Sequence, residues 1–213
     1  MNTPPDAVIL SAGFGKRLRP LTLKTPKPLI KVNGKPLILY AMESLFSAGV
    51  GRFLINAHYL PHRILNFLQH VYGIPLVFSR ERVLLGTGGG IKQFEEFLTE
   101  IFFVHNSDII HSIDLSIPFR QFVKSDAIGM LILKKDYRNT VLVEGGRVVG
   151  IGEGDNAYTY TGISIFRKDF LRFLPEKGSL VEGMLSAIES GYEILAHITD
   201  APWRDMGVRN KSS

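Results

Sequence analysis

The sequence predicts an α/β protein, a Rossmann-like three-layer sandwich with a mainly parallel central sheet and a small antiparallel part. Three observations lead there. Short apolar runs alternate with helical patterns over the first half of the 213-residue chain. Those runs carry apolar residues at successive positions, as strands buried on both faces require. Beyond about residue 127 the texture changes to short strands joined by turn residues. Strands alternating with helices imply right-handed βαβ units and hence parallel pairing.

Residues 7–12 (AVILSA), between Pro4, Pro5 and Asp6 on one side and Gly13 on the other, read as the first buried strand. Residues 37–48 follow Pro36, place apolar side chains at 37, 41, 45 and 48 and stop at Gly49, which predicts an amphipathic helix. Residues 53–57 form a second strand, and the segment after Pro61, with Ile64, Leu65, Leu68, Val71 and Tyr72 before Gly73, a second helix. Residues 76–79 and 101–105 are strands, and 90–98 is a helix between them. Later come strands at 128–133, 140–143 and 147–151, the last two joined through Gly145 and Gly146 as a hairpin. A strand at 158–166, a helix at 180–188 and a strand at 193–198 complete the pattern. No linker, repeat or low-complexity stretch divides the chain, so one domain over 1–213 is expected.

Composition narrows the chemistry. With no cysteine, thiolate zinc sites, thiol nucleophiles and disulfides are excluded. A chain of this length buries roughly 70% of its unfolded surface, so it needs no staple. No basic leader with an apolar run and no stretch of 18 apolar residues is present, which leads us to expect a cytoplasmic protein without a membrane partner. The formal charge of +5 is local. Seven of the 25 bases (Lys16, Arg17, Arg19, Lys24, Lys27, Lys31 and Lys35) fall within residues 16–35, where there is no acid, leaving 18 bases against 20 acids elsewhere. So confined a charge points to an anion site rather than to nucleic acid, and a solvated basic loop is the plain alternative.

The loop Ser11-Ala12-Gly13-Phe14-Gly15-Lys16-Arg17 leaves the first strand, and its glycines permit close approach of backbone N–H groups to an anion. It is neither of two familiar cradles. A P-loop needs glycine at 10 and Ser or Thr at 17, where Leu10 and Arg17 stand; a dinucleotide fingerprint needs glycine at 18, where Leu18 stands. Pro20, Pro26 and Pro28 restrict the backbone that carries Arg17, Arg19 and Lys27, which suits a triphosphate. A second cluster, Gly86-Thr87-Gly88-Gly89-Gly90, precedes a helical pattern, where bare backbone could meet a base or sugar or simply serve as a flexible connection. Asp108 and Asp205 each end a strand-like run. Either alone reads as a cap or turn residue; beside a cationic loop the two suit Mg²⁺, which takes one or two carboxylates plus phosphates and water. The six histidines (58, 62, 70, 105, 111 and 197) lack zinc-type spacing and read as surface or packing residues.

The stretch LSAGFGKRLRPLTLKTPKPLIKVNGKPLI closely resembles the signature of the sugar-1-phosphate nucleotidylyltransferases. The resemblance runs on through Asn56, Glu81, the LGTGGG loop, Asp108, Thr161-Gly162 and Trp203-Arg204-Asp205-Met206-Gly207. It implies the nucleotide-diphospho-sugar transferase type of fold and transfer of a nucleoside monophosphate from an NTP (UTP, GTP or dTTP) to a sugar 1-phosphate, with Mg²⁺ as cofactor and a homodimer allowed. By motif position it implies Arg17 and Lys27 as catalytic cations, and Leu10, Ala12, Gly13, Gly15, Arg17, Glu81, Gly86, Thr87 and Gly88 around the nucleotide. Asn56, Gly162 and Glu182 would face the sugar, and Asp108 and Asp205 would hold the metal. Ser107 departs from the family, which has glycine before its first metal Asp. The chain ends eight residues after Asp205 and resembles the compact branch without a C-terminal β-helix, similar to N-acetylmuramate 1-phosphate uridylyltransferases and mannose 1-phosphate guanylyltransferases. Other readings are a catalytically silent nucleotide- or sugar-phosphate-binding homologue and a choline-phosphate cytidylyltransferase relative, which would need an aromatic cage.

Overall fold

The computed structural model describes residues 3–71, 73, 75–135, 140–155 and 157–207; Tyr72, placed by the sequence in the second helix, lies outside them. The chain begins with β1 (Asp6–Leu10), continues through a loop of single 3-10 turns into the short β2 (Lys31–Val32) and β3 (Lys35–Pro36), and then enters α1 (Leu37–Ser47). Next come β4 (Arg52–Ala57), α2 (Pro61–Leu68), β5 (Leu76–Arg80), α3 (Gly86–Lys92) and β6 (Ile101–Asn106). After β7 (Ile109–His111) and α4 (Ser116–Val123) the chain forms β8 (Gly129–Lys134), β9 (Val141–Glu144), β10 (Arg147–Ile151) and β11 (Ala157–Arg167). It closes with α5 (Leu180–Glu189), β12 (Ile194–Ile198) and β13 (Trp203–Asp205).

Nine strands form one sheet in the order β5-β4-β1-β6-β11-β8-β12-β10-β9. The chain leaves β1 toward β4 and β5, then crosses back through α3 to place β6 on the other side of β1. That reversal opens a crevice at the carboxyl ends of the strands, where open α/β sheets bind ligands. Apolar residues alternate between two cores. Ala7, Ile9, Phe53, Ile55 and Phe103 share one face with Ile38 and Leu45 of α1, Ile64 of α2 and Phe122 of α4. Val8, Leu54, Phe102 and Val104 share the other with Ile91 of α3 and Leu180, Met184 and Ala187 of α5.

Three expectations are corrected. The sheet is mixed rather than mainly parallel: β11 runs antiparallel to both β6 and β8, and β10 antiparallel to β9 and β12. Apolar runs such as 128–133 do not reveal direction, because a strand covered on both faces has the same texture in either pairing. The third helix spans Gly86–Lys92 rather than 90–98, so it starts inside the glycine cluster. Glycine is a poor helix former, and here packing decides: the Gly88 N–H donates to Gly178 O (2.9 Å), the Gly178 N–H donates to Leu85 O (2.8 Å), and a Cβ at Gly88 would lie 2.8 Å from Ser179 O. The first strand ends at Leu10, and residues 11 and 12 belong to the loop. The helix α4 and β7 lie outside the elements expected from the sequence, whereas β13 is the strand-like run that Asp205 was expected to end.

That ribbon rests on two histidines. His105 on β6 is fully buried, and its Nε2 lies 3.2 Å from His111 Nε2 on β7. The Ile113 N–H donates to His111 Nδ1, and His105 Nδ1 faces Asn106 O at 2.8 Å. These partners assign one proton to each ring: His111 donates through Nε2 to His105, and His105 donates through Nδ1 to the carbonyl. Burial pushes His105 down to about 3, with His111 adding to the effect, and pushes His111 down to about 4. Both folded values lie below the unfolded value near 6.5, so the stabilising contribution is complete above that pH and is lost as pH falls toward 4. The unfolding free energy from urea titrations should therefore drop between pH 7 and pH 5, by roughly 1 kcal/mol per pH unit for each ring once below 6.5. The double variant His105→Asn/His111→Asn should show a flatter pH slope; an unchanged slope would contradict this assignment.

Candidate active site

The register aligns the strand ends that build the crevice: Leu10 pairs with Asn56 on one side and Asn106 on the other, and Asn56 pairs with Ser79. Above them the loop after β1 folds back on itself. Gly15 adopts φ +61, and a Cβ there would stand 2.8 Å from the Thr22 methyl and 3.2 Å from Lys27 Cβ, so glycine is required by both torsion and space. The Thr22 hydroxyl donates to Gly15 O at 2.9 Å, and the Tyr59 hydroxyl donates to Thr22 O at 2.9 Å. Phe14 packs edge-on against His58 and leans on Tyr59, with centroids at 5.3 and 5.6 Å. The cationic loop is thus strapped to the segment that follows β4.

Lys27 opens a 3-10 turn, Lys27–Leu29, between Pro26 and Pro28, with the Ile30 N–H donating to Lys27 O. Its ammonium forms an ion pair with Asp108 Oδ2, both side chains being mostly buried. Asp108 stands between β6 and β7, and Asp205 ends β13, which pairs with β7 so that Asp205 lies opposite Ile109. The Met206 N–H donates to Asp108 O (3.0 Å) and the Gly207 N–H to Asp205 Oδ1 (2.7 Å). A Cβ at Gly207 would be 2.7 Å from Asp108 Oδ2 and 3.0 Å from Asp205 Oδ1. The two carboxylates therefore converge on one point beside Lys27.

Two chambers meet there. One, of about 320 Å³, is lined by the cations Lys16, Arg17 and Lys27, by Gly15, and by Asp108, Asp205 and Gly207. The other, of about 260 Å³, is lined by Leu10 to Gly13, Asn56, Leu84, Gly86, Thr87 and Asn106 to Asp108. Lys27 and Asp108 belong to both. A larger cavity of about 690 Å³ lies at the opposite ends of the strands, around Pro4, Pro5 and Ile101, and holds none of the residues expected in the site.

The remaining expected residues divide into two groups. Leu10, Ala12, Gly13, Gly86, Thr87 and Asn56 line the smaller chamber, and Gly15 and Arg17 the cationic one. Glu81, Gly88, Gly162 and Glu182 line neither. Glu81 is buried behind the wall, accepting from Asn56 Nδ2 (2.6 Å) and, through its other oxygen, from the Leu85 N–H (3.0 Å). It shapes the glycine segment from within. Gly162 has φ +82, and a Cβ there would strike the Asn106 amide at 2.6 Å; it makes room for a side chain that does face the chamber. Glu182 is exposed and closes a capping box with Ser179 at the start of α5, which holds its carboxyl below the usual range. Space left by Gly86, Gly88 and Gly89 is filled by backbone of residues 176–179 rather than by open cleft. Asn106, Leu84 and the Phe14–His58 contact were not singled out from sequence, and Gly207 stood there only as the end of the motif around Asp205, with no role of its own. Asn106 could have been, because it occupies the same strand-end position as Asn56.

A family model described as nucleotidyl transferase matches residues 6–211. Over 221 residues, 94% of this chain and 60% of the relative, the sequence is 29% identical to the mannose-1-phosphate guanylyltransferase catalytic subunit beta of Dictyostelium discoideum. Over 109 residues, 48% of this chain and 30% of the relative, it is 44% identical to a mannose-1-phosphate guanyltransferase of Yarrowia lipolytica. The chain thus spans about three-fifths or less of the length of these curated relatives. Its fold is that of the inositol-1-phosphate CTP transferase from T. maritima, with a TM-score of 0.83, 23% identity and coverage of 99% and 94% of the two chains. HddC from Yersinia pseudotuberculosis superposes with a TM-score of 0.77 at 26% identity, over 96% of this chain and 94% of that one. A match that begins in β1 and runs past the β7–β13 ribbon takes in both halves of the cleft, and the chain belongs to the nucleotidyl transferase family.

Proposed function

We propose that this chain transfers a nucleoside monophosphate from an NTP to a sugar 1-phosphate, producing an NDP-sugar and pyrophosphate. The observation that carries the reading is the sharing of Lys27 and Asp108 by two chambers, one cationic and one nearly neutral. A polyphosphate in the first and a nucleoside in the second would put the α-phosphate at the junction. There an oxygen of the sugar 1-phosphate forms a bond to the α-phosphorus while the bond from that phosphorus to the β-phosphate bridging oxygen breaks, and pyrophosphate leaves. Lys16, Arg17 and Lys27 balance the negative charge that accumulates, and the rigid loop holds the reactants in line, so alignment and electrostatics do most of the catalysis. Among UTP, GTP and dTTP, guanylyl transfer to mannose 1-phosphate is the first pair to assay, because the Dictyostelium relative that aligns along 94% of this chain bears that name.

The donor set fits a magnesium ion. Asp108 and Asp205 bring two hard carboxylate oxygens to one point beside Gly207 and the phosphate chamber, which matches the few protein ligands such an ion takes when phosphates supply the rest. These two aspartates would hold it, and it would offset phosphate charge and orient the triphosphate. We also read the two cores on opposite sheet faces as a three-layer, Rossmann-like single nucleotidyltransferase domain. Cytoplasmic NTP pools fit this substrate class, and no helix among the described residues is long and apolar enough to cross a membrane. Among the described residues Phe14 is the one aromatic lining the two chambers, which makes no cage for a quaternary ammonium such as choline.

Pyrophosphate release over a panel of five NTPs and several sugar 1-phosphates tests the assignment. Lys27→Ala and Asp108→Ala should each lose at least about 100-fold in turnover, as expected for groups that stabilise transition-state charge; release at the parent rate would refute their roles. Gly207→Ala should lose roughly 10- to 100-fold and require more Mg²⁺ for half-maximal rate, since the added methyl would overlap the Lys27 ammonium and crowd the two carboxylates beside it. An unaltered Mg²⁺ dependence would show that the carboxylates do not act at that point.

A further inference from the structure

From Gly13 to Thr25 the loop after β1 has one buried residue, Thr22, which is 1% exposed. The same stretch carries four cations, Lys16, Arg17, Arg19 and Lys24, and no acid. Leu21 and Leu23, on the turn that holds Thr22, are 63% and 55% exposed. Apolar burial therefore does little to hold this segment, and its like charges push it apart. What holds it is a series of two hydrogen bonds anchored outside the loop. The Tyr59 hydroxyl donates to Thr22 O (2.9 Å), with Leu23 O at 3.4 Å, and the Thr22 hydroxyl donates to Gly15 O (2.9 Å), beside Lys16 and Arg17 in the cationic chamber.

The anchor is itself fixed on both sides. His58 Nδ1 lies 3.1 Å from Glu81 O, which assigns the proton to that nitrogen and ties the anchor to the segment leading into the glycine cluster. Leu60 adopts φ +48 and ψ +47, a left-handed conformation unfavourable for a residue with a Cβ, and Pro61 starts α2 immediately after it. Backbone strain of this kind persists where the surroundings over-determine it. Here it turns the chain sharply between β4 and α2, at the point where Tyr59 meets Thr22. We infer that Tyr59 is a positioning residue for the triphosphate: acting through Thr22 and Gly15, it holds Lys16 and Arg17 in place before the substrate arrives. This rests on the transferase reading above and deepens it. A loop set in advance spares the substrate the ordering cost that a splayed, self-repelling one would impose. Tyr59 lines neither chamber, so losing its hydroxyl acts on phosphate affinity rather than on the chemical step.

Two readouts on the full chain test this: steady-state pyrophosphate release with the most active NTP and sugar 1-phosphate, and calorimetric titration with inorganic tripolyphosphate and Mg²⁺. In Tyr59→Phe, which keeps the ring against Phe14, KM for the NTP should rise about 3- to 10-fold and tripolyphosphate affinity should fall by a similar factor. Both kcat and KM for the sugar phosphate should stay within about twofold of the parent. Thr22→Ala should reproduce this pattern, and Thr22→Ser, which keeps the hydroxyl, should restore the parent values. The double variant Tyr59→Phe/Thr22→Ala should be no weaker than the worse single variant, because links in series fail together. Equal losses for both substrates, losses that multiply, or a lowered melting temperature with unchanged KM would overturn the inference and leave the transferase reading standing. Tripolyphosphate binding that depends on Tyr59, in a parent chain that releases no pyrophosphate with any pair, would overturn the transferase reading and support the role of Tyr59. A parent that neither binds tripolyphosphate nor releases pyrophosphate would overturn both.

Discussion

The ion pair between Lys27 and Asp108 is the contact on which the cleft depends. The two residues are separated by 81 positions, and each retains less than a fifth of its side-chain exposure. A pair this buried gains little net stability, because desolvation offsets much of its attraction, yet losing either partner would leave a costly lone charge. Its consequence is positional. Lys27 is held between two prolines on the loop that follows β1, and Asp108 lies just beyond β6, the neighbour of β1 on the other side of the sheet reversal. Joining them closes the loop over the strand ends and divides the crevice into two chambers that meet at the pair.

The rest of the architecture serves that junction. Parallel pairing of β4, β1 and β6 aligns Asn56, Leu10 and Asn106 as a floor. The antiparallel half returns the chain so that β13 can pair with β7 and deliver Asp205 next to Asp108. A neutral histidine pair ties this ribbon to β6, and the Trp203 Nε1–H donates to Thr161 O at 2.9 Å from its other strand. On the side of the smaller chamber, one chain of hydrogen bonds runs from Ser11 through Asn56 and Glu81 to Leu85, so the loop after β1 and the glycine segment at the start of α3 are set relative to each other through buried groups.

Much of this was legible in the sequence, for reasons that can be named. Strands such as Asp6–Leu10 and Ile101–Asn106 announced themselves because full burial demands unbroken apolar runs, and α1 because proline and glycine punctuate an amphipathic period. Arg17 and Lys27 stood out because charge and a proline-restricted backbone coincide there, Asp108 and Asp205 because each ends a strand-like run, and all four line the cationic chamber. Strand direction was legible in the first half, where intervening helices imply the parallel pairing of β5, β4, β1 and β6, and not for β11, whose antiparallel partners are chosen by topology rather than by local composition. The start of α3 was missed because packing against residues 176–179 outweighs the poor helix propensity of Gly86 to Gly90. Glu182 carries the acid-three-after-serine spacing of a capping box, and in the fold that local bond takes its carboxylate; the need for a glycine at 162 to accommodate the Asn106 side chain shows only once β11 lies beside β6.

The central claim is that Lys27 and Asp108 act on the same reacting phosphate as one unit, and a double-mutant cycle on pyrophosphate release addresses it most directly. Rates would be measured for the parent, Lys27→Met, Asp108→Asn and the double variant, each shown to be folded. Groups acting as a unit give strongly non-additive losses, so the double variant should be little slower than the worse single variant. Losses that multiply would mean that the two side chains act independently, and the junction would not be the reaction centre.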